Sequence, residues 1–175
     1  MTLENKAKNK ERRFFMFQIG EKIVYPMYGA GIVESIEQDF HGTKLEMYYI
    51  IQIPKNNLKI RLIANKSEQL GVRAVANKEE VEKALEHVAA KKIVMPENWS
   101  LRYKDNLEKL KTGRLDMVTE VVKNLNEREK RKKLSSIEKK LLNTAKQIVL
   151  SEIIYSYEID TEKAEELLAN LVLNC

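Results

Sequence analysis

Two hydrophobic periods divide the chain. From Ile19 to Ala64 apolar side chains tend to recur at every second position, the period of a half-buried strand. Ile23, Val24 and Tyr25 predict a short strand, and Ile32 to Ile36 a second. Between them Pro26-Met27-Tyr28-Gly29-Ala30-Gly31 reads as a turn whose two glycines are free to take positive φ. His41-Gly42-Thr43 marks a hairpin tip, after which Leu45, Met47, Tyr49, Ile51 and Ile53 alternate with Glu46, Tyr48, Ile50 and Gln52. Pro54 to Asn57 turns the chain again, and Leu58, Ile60 and Leu62 alternate with Lys59, Arg61 and Ile63. Four or five short strands joined by tight turns predict a small antiparallel β-barrel.

Beyond Ser67 the period becomes 3.6. Asn77-Lys78-Glu79-Glu80 opens a helix as a capping box, with Val81, Leu85 and Val88 on one face. Pro96 breaks the chain. Asn98 then caps a helix that begins at Trp99 and ends at Gly113, a residue type suited to the left-handed position after a helix. Leu115, Val118, Val121, Val122 and Leu125 stripe the next helix. Ser135 and Glu138 form a second capping box, followed by a stripe of Ile137, Leu141, Leu142, Ala145, Ile148 and Val149. Asp160 caps a last helix with Ala164, Leu167, Leu168 and Leu171 inward. Short connections predict a compact all-α bundle of about five helices. The expected fold is therefore α+β in two domains. Residues 1–15 form a basic flexible tail, 16–70 the β-barrel and 71–175 the helical domain, with the change of period near residues 65–76.

Composition narrows the function. The 175 residues carry 43% hydrophobic and 33% charged side chains, a net charge of +5 and a pI near 9.1, a balance that favours an acidic partner. No apolar run approaches the roughly 18 residues of a membrane span, and the N-terminus lacks the apolar stretch of a signal peptide. The single cysteine, Cys175, excludes an internal disulfide and fits a reducing compartment. His41 in a hairpin tip and His87 in a helix have no companions at metal-ligand spacing. Gly29-Ala30-Gly31 lacks the third glycine and the following helix of a dinucleotide loop. The expectation is a non-enzyme with no catalytic residues, no metal and no cofactor.

Binding residues are more plentiful. The only tryptophan, Trp99, stands in a first helical turn beside Arg102, Tyr103 and Lys104. It reads either as a core anchor or as an exposed ring that stacks on a base while the cations hold phosphate. Residues 128–140 set seven cations against Glu129 and Glu138, a local +5 that equals the charge of the whole chain. Arg131 to Lys133 suit a helix C-terminus, but Lys139 and Lys140 lie in a first turn, where positive charge is unfavourable unless it serves an anion. On the last barrel strand Lys59 and Arg61 share the face opposite Leu58, Ile60 and Leu62. They are either solvated or pair with a partner's carboxylates or sheet.

Phe17-Gln18-Ile19-Gly20-Glu21-Lys22-Ile23-Val24-Tyr25-Pro26 followed by Gly29-Ala30-Gly31-Ile32-Val33 resembles the start of bacterial CarD/CdnL transcription regulators. The resemblance continues through Tyr48-Tyr49-Ile50-Ile51, Leu58-Lys59-Ile60-Arg61-Leu62, Gly71-Val72-Arg73, Asn98-Trp99-Ser100, Arg102-Tyr103-Lys104 and Leu107-Glu108-Lys109-Leu110. It extends to Ala145-Lys146-Gln147-Ile148 and Leu150-Ser151-Glu152, covering about residues 16 to 160. It implies a Tudor-like (SH3-like) barrel, shared with the transcription-repair coupling factor, that binds the RNA polymerase β subunit. It also implies a helical domain on promoter DNA, where a tryptophan wedges at the upstream edge of the melted region and stabilises the open complex. By resemblance Trp99 is that wedge, with Arg102, Lys104, Lys139 and Lys140 on the DNA face. Lys59, Ile60, Arg61 and Leu62 form the polymerase-binding strand. The implied protein is a cytoplasmic monomer, held at the nucleoid by polymerase and free of membranes. The alternative is a general nucleic-acid-binding or other polymerase-interaction module without open-complex activity. Two positions depart from the family: Leu101 stands where relatives carry a basic residue, and Asp39 where some carry an arginine.

Overall fold

The computed structural model describes residues 16–54 and 57–173. The tail expected at residues 1–15 and the terminal Cys175 lie outside the described residues. The chain divides into two compact units. Among the described residues, one joins residues 16–23 with 31–74, and the other joins Val24–Ala30 with residues 75–173. The division differs from the expected one in two ways: residues 71–74 stay with the sheet, and the turn at 24–30 goes with the helices.

The strands are β1 (Lys22–Tyr25), β2 (Gly29–His41), β3 (Lys44–Ile53), β4 (Leu58–Ile63) and β5 (Arg73–Ala74), hydrogen-bonded in the order β4-β3-β2-β1-β5, and the first unit holds all of them except Val24–Tyr25 and Gly29–Ala30. β2 with β3 and β3 with β4 are antiparallel, and β2 bulges between Val33 and Ser35. The sheet is open, with β4 and β5 as its edges. The period of two puts Val33, Tyr49, Ile51 and Leu62 inside with Ile23. The Phe17 amide donates to the buried Tyr49 hydroxyl at 3.1 Å. Of the two turn glycines, only Gly29 uses positive φ, at 95°. Gly31 is required by space instead, since a Cβ there would lie 2.6 Å from the Gln52 carbonyl oxygen.

The second unit contains helices α1 (Lys78–Ala90), α2 (Trp99–Lys111), α3 (Leu115–Arg131), α4 (Ser136–Tyr157) and α5 (Thr161–Leu168), followed by a π-helical turn at Ala169–Leu173. The caps expected from sequence form: Asn77 and Glu80, and Ser135 and Glu138, complete reciprocal boxes, while Asn98 and Asp160 each accept from first-turn amides. The core joins Val81 and Leu85 of α1, Val118, Val122 and Leu125 of α3, and Ala145, Val149 and Ile153 of α4. Ile137 is a correction to the expected stripe, being half exposed. Glu138 takes the inward direction at that level, so the residue before it is turned about 100° away. Lys123 of α3 is buried and donates to the carbonyls of Val88, Ala89 and Lys91 at 2.7–3.0 Å, which closes the end of α1. Also within this unit, the Ala30 amide donates to Ser151 Oγ on α4 at 2.9 Å. A Cβ at Gly29 would come within 2.7 Å of the same oxygen.

Candidate nucleic-acid and protein interfaces

Trp99 is the first residue of α2 and is 58% exposed. The core is filled by Leu, Val and Ile from other positions, so nothing draws the ring inward. Its backbone, in contrast, is tightly held. Asn98 Oδ1 accepts from the amides of Ser100 and Leu101 at 2.9 and 3.2 Å. Arg102, one turn on, donates through Nη1 to the carbonyls of Pro96 and Glu97 at 3.0 and 2.9 Å. The Nε of Arg102 donates to Glu138 Oε1 at 2.7 Å. The other Glu138 oxygen accepts from the Ser135 amide and hydroxyl.

Arg102 is therefore a correction to the expected set of DNA contacts. It is 3% exposed and its guanidinium is spent on a buried carboxylate and two carbonyls. It positions the Trp99 turn rather than presenting charge to solvent. Burial pulls the Glu138 carboxyl upward, but hydrogen bonds from Ser135 and Arg102, together with the Arg102 charge, outweigh it and hold the group below its ordinary value. The Arg102–Glu138 pair also joins the first turn of α2 to the first turn of α4. Trp99 and the Lys139–Lys140 pair thus rise from adjoining helix starts.

The remaining cations divide by their partners. Lys139 forms an ion pair with Glu129 at 3.3 Å. Lys104 and Lys140 are exposed, and the structure gives neither of them a side-chain partner among the described residues. Leu101, two positions on, is exposed to the same degree as Trp99.

In the sheet unit, Lys59, Ile60, Arg61 and Leu62 lie on β4, an edge strand whose outer side carries no strand among the described residues. The expected alternation holds: Lys59 and Arg61 are exposed, Ile60 is half-buried and Leu62 is buried. Both cations reach across β3 to carboxylates on β2. Lys59 meets Glu34 at 2.8 Å, and Arg61 pairs with Asp39. The Arg61 guanidinium also lies 3.9 Å over the Tyr48 ring. Hydrogen bonds from Arg61 and the Phe40 amide hold Asp39 below its ordinary value, and Arg61 is raised in turn. Sequence reasoning treated Asp39 and Arg61 as separate sites. They lie 22 residues apart, and no local pattern announces the pairing. The same holds for Glu138, which was read as a cap and not as the partner of a residue 36 positions away.

These two units offer binding surface: an edge strand bearing cations on one, an anchored aromatic beside lysines on the other. The class they define is a two-domain α+β binding protein. Residues 17–76 match the family described as CarD-like/TRCF RID domain, and residues 83–169 match the family described as CarD, C-terminal domain. YdeB of Bacillus subtilis (strain 168), provisionally named a transcription factor, is 34% identical over 141 residues, covering 79% of this chain and 90% of that protein. The chain belongs to the CarD/CdnL family of transcription regulators.

Proposed function

We propose that this protein regulates transcription initiation by binding the RNA polymerase β subunit through β4 and stabilising the promoter open complex with Trp99. The observation that carries the reading is the combination of an exposed indole with an immobilised backbone at its root. A ring presented this way loses little conformational freedom on insertion. It fits a duplex opened at a fork better than a closed one, so binding shifts the balance toward the open state. Lys104, Lys139 and Lys140 supply sequence-independent attraction to backbone phosphate. Docking of the edge strand on polymerase, with Lys59 and Arg61 meeting carboxylates, raises the local concentration of the ring at the promoter. A weak intrinsic DNA affinity then suffices. The protein acts as a monomer in the cytoplasm, at the nucleoid and without membrane contact. Competitor-challenge measurements on a promoter test the reading. Adding the wild-type chain should lengthen the open-complex lifetime, and Arg61→Glu should remove both that effect and co-purification with core polymerase. DNA binding with no change in lifetime would instead favour a general nucleic-acid binder.

A further inference from the structure

Beneath the segment that leads into Trp99 lies a cleft of about 150 Å³, lined in part by Pro96, Glu97, Arg102, Glu127, Arg128 and Arg131. Its charges are unevenly matched. Arg102 is neutralised by Glu138, and Glu127 by Lys130 at 2.6 Å. Arg131 is exposed, and the structure gives its side chain no partner among the described residues. The Arg128 side chain is only 19% exposed, yet its carboxylate neighbour among the described residues, Glu97, lies at 3.8 Å, beyond hydrogen-bonding distance. A guanidinium whose fork of donors is not taken up by a carboxylate can hold an oxyanion or phosphate bidentately. The Glu97 carboxylate, almost wholly solvent-exposed, is the anion that Arg128 faces.

We propose that Arg128 and Arg131 form a phosphodiester site in this cleft, which takes a nucleic-acid backbone phosphate in place of the Glu97 carboxylate. The volume decides the class of ligand. Whole small molecules occupy clefts of roughly 300–1,000 Å³, so this one admits a phosphate group and not a nucleotide. Position decides the source. Glu97 is two residues from Trp99, at most about 7 Å along the chain, which is about two steps of axial rise at 3.4 Å each in a duplex. A phosphate in the cleft lies within reach of the fork that the ring addresses. Displacing Glu97 leaves the carbonyls of Pro96 and Glu97 on Arg102, so the Trp99 turn stays fixed while the charge is exchanged. The inference deepens the DNA-face reading and rests on it. It adds a phosphate contact from the C-terminal end of α3, separate from Lys139 and Lys140 at the start of α4.

The test is salt-dependent binding of the full chain to a forked duplex, followed by fluorescence anisotropy between about 50 and 200 mM salt. Arg128→Gln/Arg131→Gln should flatten the log–log salt slope by about one per arginine, and Glu97→Gln should tighten binding. Replacing single phosphates by methylphosphonate should locate one position near the fork where wild type and the double variant no longer differ. An unchanged slope in a variant with wild-type far-UV circular dichroism overturns the site, as does a uniform response along the methylphosphonate series. Trp99→Ala on the same DNA separates the two readings. If it binds as wild type while the arginine variants flatten the slope, the wedge fails and the cleft stands. If it weakens binding and the slope does not move, the cleft fails alone.

Discussion

At the scale of single residues, Glu138 divides one carboxylate between two tasks. Oε2 completes the cap of α4, while Oε1 neutralises Arg102 and so fixes the turn that carries Trp99. Because its folded value lies below the ordinary 4.5, the stabilisation is fully present above that pH and is lost as pH falls through the folded value. The stability difference between wild type and Glu138→Gln should therefore be largest near neutrality and shrink on acidification, as read by denaturant melts at several pH values. A constant difference down to pH 3 would place the effect elsewhere. Arg102→Met leaves the carboxylate buried without its cation, and should cost about 3–5 kcal/mol near pH 7. That Arg102 is cationic and close to Trp99 was legible in the sequence. That it points inward was not, because its direction is set by a partner from another helix.

Elements were far more legible than pairs. Capping residues act within three positions, so Asn77, Asn98, Ser135 and Asp160 could be read locally, and each caps as expected. The alternation along β3 and β4 placed Tyr49, Ile51, Ile53 and Leu62 inside, because one side of the sheet faces the core, but Leu45 is exposed and Tyr48, from the opposite set, is buried with the Arg61 guanidinium over its ring. Failures occurred where a neighbour overrode the period, as at Ile137, or where space rather than dihedral freedom demanded glycine, as at Gly31. The end of α1 is another case. It has no glycine or asparagine cap, and its carbonyls are met by the ammonium of Lys123, more than 30 residues away. Lys123→Met keeps the bulk and removes the donors. It should lower stability by about 1–3 kcal/mol, measured by urea unfolding, with loss concentrated in hydrogen-exchange protection of α1. Equal stability would show that water replaces the ammonium without cost.

For the whole molecule, each unit presents one surface, and the two are proposed to act on different partners. On the sheet unit the Arg61 charge is already engaged by Asp39, so docking on a polymerase carboxylate must exchange one anion for another. Asp39→Asn should free the guanidinium and tighten binding to core polymerase, whereas Arg61→Glu should abolish it; the same affinity for all three chains would remove Arg61 from the interface. Family membership was legible across both units from the order and spacing of short motifs, but the internal pairing of the two expected contact residues was not. The most direct measurement is the lifetime of a promoter open complex formed with Trp99→Ala, under conditions where the variant remains bound to polymerase. Loss of the ring is worth about 1–3 kcal/mol by analogy with base stacking, so the lifetime should fall by about 5- to 150-fold relative to wild type. A polymerase-bound variant that keeps the wild-type lifetime would contradict the wedge.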